Sequence, residues 1–279
     1  MNIRGTSHRA TESAPLVHFD FVILLLVIHL ALCQSAIAQK VEISSAANGS
    51  SLTAEQVVRN LVQMNLQRAQ SLHGFQGIRF YHAEYHGLGG TRSAEMLVNV
   101  KYLAPGTKEF TIESATGSKL IIERVFKKLL EAEREALDTE MQRRSALTEE
   151  NYRFTLVGYE NGETGARFVL AVEPRKNDKF LYRGRVWVDA EDFAVVRLEA
   201  EPAKNPSFWT KKAEIVQEYK KVNDFWLPAV NRSVSAIRLG GHAELTIEYK
   251  NYEITGISQA ASLPKSQATR NPEAARAQK

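Results

Sequence analysis

Arg92–Leu103 reads RSAEMLVNVKYL. Ala94, Met96, Val98, Val100 and Tyr102 alternate with Ser93, Glu95, Asn99 and Lys101, the period of two that sends successive side chains to opposite faces of a β-strand. The stretch therefore predicts a strand with one buried and one wet face. Working outward, Gly74–Gly87 carries Phe75, Ile78, Phe80, Tyr81 and Tyr85 and predicts a strand before it. Pro105-Gly106 turns the chain into a third, Glu109–Ser114. After Tyr152 the chain returns to strands and keeps to them. Asn151–Tyr159 and Ala166–Val172 flank Asn161-Gly162, a strong hairpin signal. Phe180–Asp189 and Ala194–Ala200 flank Ala190-Glu191-Asp192. Ala213–Val222 and Leu227–Leu239 flank Asn223-Asp224, and Gly240-Gly241 leads into His242–Ile254. These are ten strand candidates, expected in antiparallel succession. They predict an α+β chain built on one long antiparallel sheet.

Helices are predicted at two places. Thr53 with Gln56 three residues on has the spacing of a capping box. The stripe Val57, Val58, Leu61, Met64 and Leu72 follows at helical spacing, opposite Glu55, Arg59, Gln63, Gln67 and Gln70. Leu120 to Thr148 lacks Gly and Pro. Ile121, Val125, Leu129, Ala132 and Ala136 recur there every three or four residues, with Glu131, Glu133, Arg134 and Glu135 between them, so an amphipathic helix or helix pair is expected.

The 279 residues are 44% hydrophobic and 24% charged, with 36 basic against 32 acidic residues. That balance excludes a wholly disordered chain and gives no nucleic-acid footprint. A single cysteine excludes an internal disulfide framework and a multi-Cys metal site. Phe21–Cys33 (FVILLLVIHLALC) is shorter than a membrane-spanning helix, follows Arg4 and Arg9, and precedes Ala36-Ile37-Ala38. It reads as a secretory signal peptide over 1–38, cut before Gln39, with export to the periplasm expected. Leu32 does not suit acylation at Cys33. Residues 39–51 read as a flexible lead-in, 52–256 as the folded domain with a helical segment at 120–148, and 257–279 as a disordered tail.

Tyr182–Asp189 (YRGRVWVD), Val196-Arg197, Glu218-Tyr219, Phe225–Pro228 (FWLP) and Ile247–Tyr252 (IEYKNY) resemble, in order and spacing, the LolA-like outer-membrane lipoprotein-sorting family of Gram-negative bacteria. The resemblance implies an open, strongly curved half-barrel with helices over its concave side and a hollow that takes up acyl chains. It also implies a lid-latching arginine, for which Arg79 and Arg92 both remain open. Its implied function is a carrier or binding protein for a lipoprotein or other lipophilic ligand. It would need no cofactor and no catalysis, would act as a monomer, and would exchange with membrane-bound donor and acceptor proteins. A periplasmic regulator of the same fold, binding a partner protein, is the alternative.

Two readings stand at each apolar sheet position. Met96, Val98, Val100, Tyr102, Tyr182, Val186, Val188, Val196 and Leu198 could form the wall of an acyl-chain hollow, or ordinary sheet core. Ile121, Val125 and Leu129 are the expected sheet-facing stripe of a lid. His82, Glu84 and His86 share one face of their strand and offer two imidazoles and a carboxylate, a zinc-type donor set, against the plainer reading of a solvated strand end. Adjacent strand positions seldom converge on one ion without another segment. Phe208-Trp209 is an aromatic pair on an expected loop. No nucleophile elbow and no phosphate loop occur.

Overall fold

The computed structural model describes residues 52–255, except 88, 163–164, 206–209, 239 and the side chain of Thr139. The expected signal peptide, lead-in and tail, and the Phe208-Trp209 pair, lie outside the described residues.

Ten strands form one antiparallel sheet: β1 (Gly74–Gly87), β2 (Gly90–Leu103), β3 (Thr107–Gly117), β4 (Tyr152–Gly162), β5 (Gly165–Pro174), β6 (Tyr182–Asp189), β7 (Val195–Pro202), β8 (Thr210–Val222), β9 (Phe225–Ile237) and β10 (Gly241–Thr255). Their order is β3-β2-β1-β10-β9-β8-β7-β6-β5-β4. Simple succession is broken where β1 pairs with β10, from Gly74 opposite Thr255 to Gly87 opposite Gly241. The edges are therefore β3 and β4, which are consecutive in the chain, and the sheet stays open between them.

The link from β3 to β4 must run from one edge to the other, and it does so as helix over one face of the sheet. Helix α2 (Lys119–Ile121) passes through a π turn (Ile122–Phe126) into α3 (Lys127–Glu135), and α4 (Thr139–Ser145) follows after an Asp138 cap. The first helix, α1 (Ala54–Ser71), starts at the expected capping box, with Thr53 accepting from the Gln56 amide and Gln56 returning the bond.

The inner face carries two cores. Under the α2–α3 stretch, Tyr81, Met96, Val98, Val100, Phe126, Leu129, Ile247 and Tyr249 pack together. Under α1, Val57 and Leu61 pack on Tyr152, Phe168, Leu170, Val186, Val188 and Leu198. Each large apolar side chain so buried contributes about 1.5–3 kcal/mol, enough to hold both helical covers to the sheet. Leu72, just past α1, belongs to the first core and joins the two.

Two expectations need correction. The charged face read for the second helix contains Glu133, which is fully buried. Leu129, Leu130, Ala132 and Glu133 are the buried residues of α3, and Glu133, four residues after Leu129 and three after Leu130, lies on their face. Val196 is not on the inner face. A bulge between Trp187 and Val188 leaves Val196 as the extra residue of β7, and it packs outside with Val169, Trp187 and Trp226.

Candidate ligand-binding site

Between the two covers lies a largely apolar cavity of about 130 Å³. The sheet supplies Tyr182, Val186, Leu198, Tyr219 and Leu227; α1 supplies Val62 and Leu66; Ala146 and Leu147 form a lip after α4. A dry cavity of roughly 150 Å³ lined by such side chains admits benzene, so the hollow has room for a molecule of about that size.

Local structure explains its walls. Val57, Val58 and Leu61 anchor the first half of α1, whereas Val62 and Leu66 on its second half face the hollow. That second half is tied to the sheet by Arg68, whose guanidinium donates to the carbonyls of Asp192 (2.7 Å) and Phe193 (3.0 Å) and to Asn65 Oδ1 (2.7 Å). The lip is set by buried Asn151, whose amide donates to the carbonyls of Arg143 and Ala146 at 2.9 Å each.

Among the described residues that line the cavity there is no carboxylate, imidazole or thiol. Burial raises the pKa of the Tyr182 and Tyr219 phenols, so both stay protonated at neutral pH. The lining can bury apolar surface and offers hydroxyls, the Asn65 amide and the Arg68 guanidinium. A wider, open depression of about 710 Å³ surrounds Gly184 on the sheet and is rimmed by arginines and glutamates such as Arg183 and Glu173, which pair at 3.4 Å.

The wall residues expected from sequence divide. Tyr182, Val186 and Leu198 line the cavity; Val188 is packed beside it in the second core. Met96, Val98, Val100 and Tyr102 are packed core under the helical stretch and do not line it. Ile121 and Leu129 are buried against the sheet with Val125 half-buried beside them, so this stripe seals a packed core and not the hollow.

The α2–α3 stretch is pinned by charge as well. Arg79 of β1 makes a two-pronged pair with Glu133, one arm at 2.8 Å, and Lys108 Nζ of β3 reaches the same carboxylate at 2.6 Å. Exposures are 2%, 1% and 8% for Arg79, Glu133 and Lys108. Arg79 also lies 4.9 Å over the Tyr249 ring. Burial works against the charge on Arg79, but Glu133 outweighs it and the guanidinium is held charged; burial lowers the affinity of Lys108 for its proton. Of the two arginines left open by the resemblance, Arg79 meets the helical stretch, while Arg92 is exposed. Glu133 follows Leu129 and Leu130 by four and three residues, so on a helix it falls on their apolar face; that spacing was the sequence signal, masked by its charged neighbours in the chain.

His82, Glu84 and His86 lie on the outer face. Glu84 takes His82 Nε2 at 3.2 Å and His86 Nε2 at 3.1 Å, and His82 Nδ1 stands 3.3 Å from Glu95. No group of three such side chains among the described residues is set for a metal ion in this structure.

No protein-family model and no curated protein sequence matches the chain. Solved structures do. A DUF1329 family protein from Desulfovibrio piger is 14% identical over 75% of this chain and 96% of its own, with a TM-score of 0.38. A putative outer membrane lipoprotein-sorting protein domain from Vibrio parahaemolyticus is 13% identical over 73% and 95%, TM-score 0.31. A LolA superfamily protein from Nitrosomonas europaea is 8% identical over 75% and 96%, TM-score 0.32.

Proposed function

We propose that this chain is an exported, periplasmic carrier or binding protein for a lipophilic ligand, an acyl chain of a lipoprotein or a similar molecule, held between α1 and β6–β9. The observation that carries the reading is an apolar hollow under a lightly tethered helix segment, lined by no reactive group. Binding then rests on burial alone. About six carbons at about 0.8 kcal/mol each give roughly 5 kcal/mol, which is sub-millimolar affinity. A longer chain needs more room, and the Val62–Arg68 half of α1 is the wall that yields. The ion-pinned α2–α3 stretch stays down as a fixed lid. The protein works as a monomer that receives cargo from one membrane-bound partner and passes it to another.

Uptake of a fluorescent acyl probe by delipidated protein tests this. Leu198→Gln places an amide in the wall and weakens binding tenfold to a hundredfold, about 1–3 kcal/mol. Val98→Ala, in the packed core, lowers stability but leaves the affinity of the folded protein unchanged. The reading fails if wild-type protein takes up no probe at millimolar concentration.

A further inference from the structure

β4 is an edge of the sheet, and among the described residues no strand pairs with its other flank. An unpaired edge is a template for another chain, and lysine or proline on the strand is a common guard against that. β4 carries neither. Its centre, Phe154–Tyr159 (FTLVGY), is uncharged and rich in strand-forming residues, and Val157 and Tyr159 are 53% and 40% exposed. Charge is confined to Arg153 on one side of this centre and Glu160 on the other. We infer that β4 is the docking edge for a second copy of this chain, the two β4 strands pairing antiparallel about a two-fold axis that passes between Leu156 and Val157.

The faces of β4 set the register. Phe154, Leu156 and Tyr159 stand opposite Val172, Leu170 and Phe168 of β5, all in the second core, so they point inward. Gly158 stands opposite Val169, a member of the outer cluster, and Arg153 and Thr155 stand opposite Glu173 and Ala171 on that same outer face. Glu160 is outside too, where its carboxylate accepts from the Trp187 indole at 3.0 Å. On a regular strand Arg153 and Glu160 would point to opposite faces, because an odd number of positions separates them. The bulge at Val157 adds one residue and brings both to the outer face. Residues directly opposed on antiparallel strands share a face. About the stated axis Arg153 meets Glu160 of the second copy, Phe154 meets its Tyr159, Thr155 its Gly158 and Leu156 its Val157. Every opposition is thus matched in face, and the charges are opposite in sign. Each contact occurs twice, as an isologous interface requires. Arg153 is exposed and available for this role: Glu173 across from it pairs with Arg183 instead. One strand from each copy makes a small, reversible interface, so the cargo-carrying monomer proposed above is the form that the pair releases. The edge lies apart from the cavity, which β4 does not line.

Sedimentation velocity of the natively processed protein, from micromolar to millimolar concentration, tests the inference. Wild-type protein passes from monomer to dimer across that range. Val157→Lys puts a charge at the centre of the edge and keeps the protein monomeric. Arg153→Glu and Glu160→Arg each place like charges opposite one another twice and weaken self-association about tenfold or more. An equimolar mixture of these two variants restores opposite charges at both ends, so it forms mixed dimers within about threefold of wild-type affinity. Circular dichroism of each variant establishes its fold, and recovery in the mixture separates a register contact from a damaged strand. The inference is overturned if wild-type protein stays monomeric at millimolar concentration, even where a peptide strand from another protein binds the edge. It is also overturned if Val157→Lys dimerises like wild type, or if the mixed variants associate no better than each alone.

Discussion

Replacing Glu133 with glutamine removes the carboxylate that Arg79 and Lys108 share and leaves two buried cations facing an amide. Truncating one side of a buried ion pair costs about 3–5 kcal/mol, because the remaining charge is not compensated. With a urea m-value of about 2–3 kcal/mol/M, the unfolding midpoint falls by about 1–2 M. The loss localises to the α2–α3 stretch, so amide exchange and proteolysis across Lys119–Ser145 accelerate before global unfolding. The deficit also depends on pH. Glu133 raises the proton affinity of Lys108 against burial and Arg79, which both lower it. Without Glu133, folded Lys108 sheds its proton further below the ordinary 10.5, while the unfolded chain keeps it up to that value. The unfolded state therefore binds more protons in that window, stability rises with pH across it, and the variant recovers part of its loss there. A triple replacement of Arg79, Lys108 and Glu133 by methionine removes all three charges and stays within about 1 kcal/mol of wild type. A glutamine variant with an unchanged midpoint, or a triple variant as weak as the single one, would refute the reasoning.

Arg68→Ala frees the second half of α1: stability drops by about 1–2 kcal/mol, since the bonds are partly solvated, and an acyl probe enters faster in stopped-flow mixing. An unchanged entry rate would place the mouth elsewhere. Burial raises the Tyr81 phenol from 10.0 to about 12. Its contribution, about 2–3 kcal/mol, is fully present below pH 10 and lost as pH climbs toward 12, so alkaline unfolding begins in that range and is blunted in Tyr81→Phe, as followed by phenolate absorbance. The acyl-probe experiment completes the set.

The strands were legible because period two and turn chemistry are local. Asn223, at φ +54°, sits in the β8–β9 turn where its type predicted one. The pairing of β1 with β10 was not legible, since no local signal distinguishes an edge strand from one awaiting a partner at the far end of the chain. Met96 and Leu198 show the limit at the site: both are apolar, alternating and buried, yet one is packed solid and the other borders a hollow. The difference lies in where the two helical covers stop. Val196 was misread because a bulge inserts one residue into an otherwise regular period, and Glu133 because its charge was weighed above its helical spacing from Leu129 and Leu130.

Because β1 holds β2 and β3 on one side and β10 on the other, the ten-stranded sheet is completed only when β10, the last of its strands in the chain, has been made. Until residues 241–255 arrive, the β1–β3 meander has an open flank that would in time bond to Thr255 through Gly241. Contacts of such sequence separation make folding slow. If the chain is exported as proposed, that delay would keep it threadable through a translocation channel until the sheet can assemble on the far side.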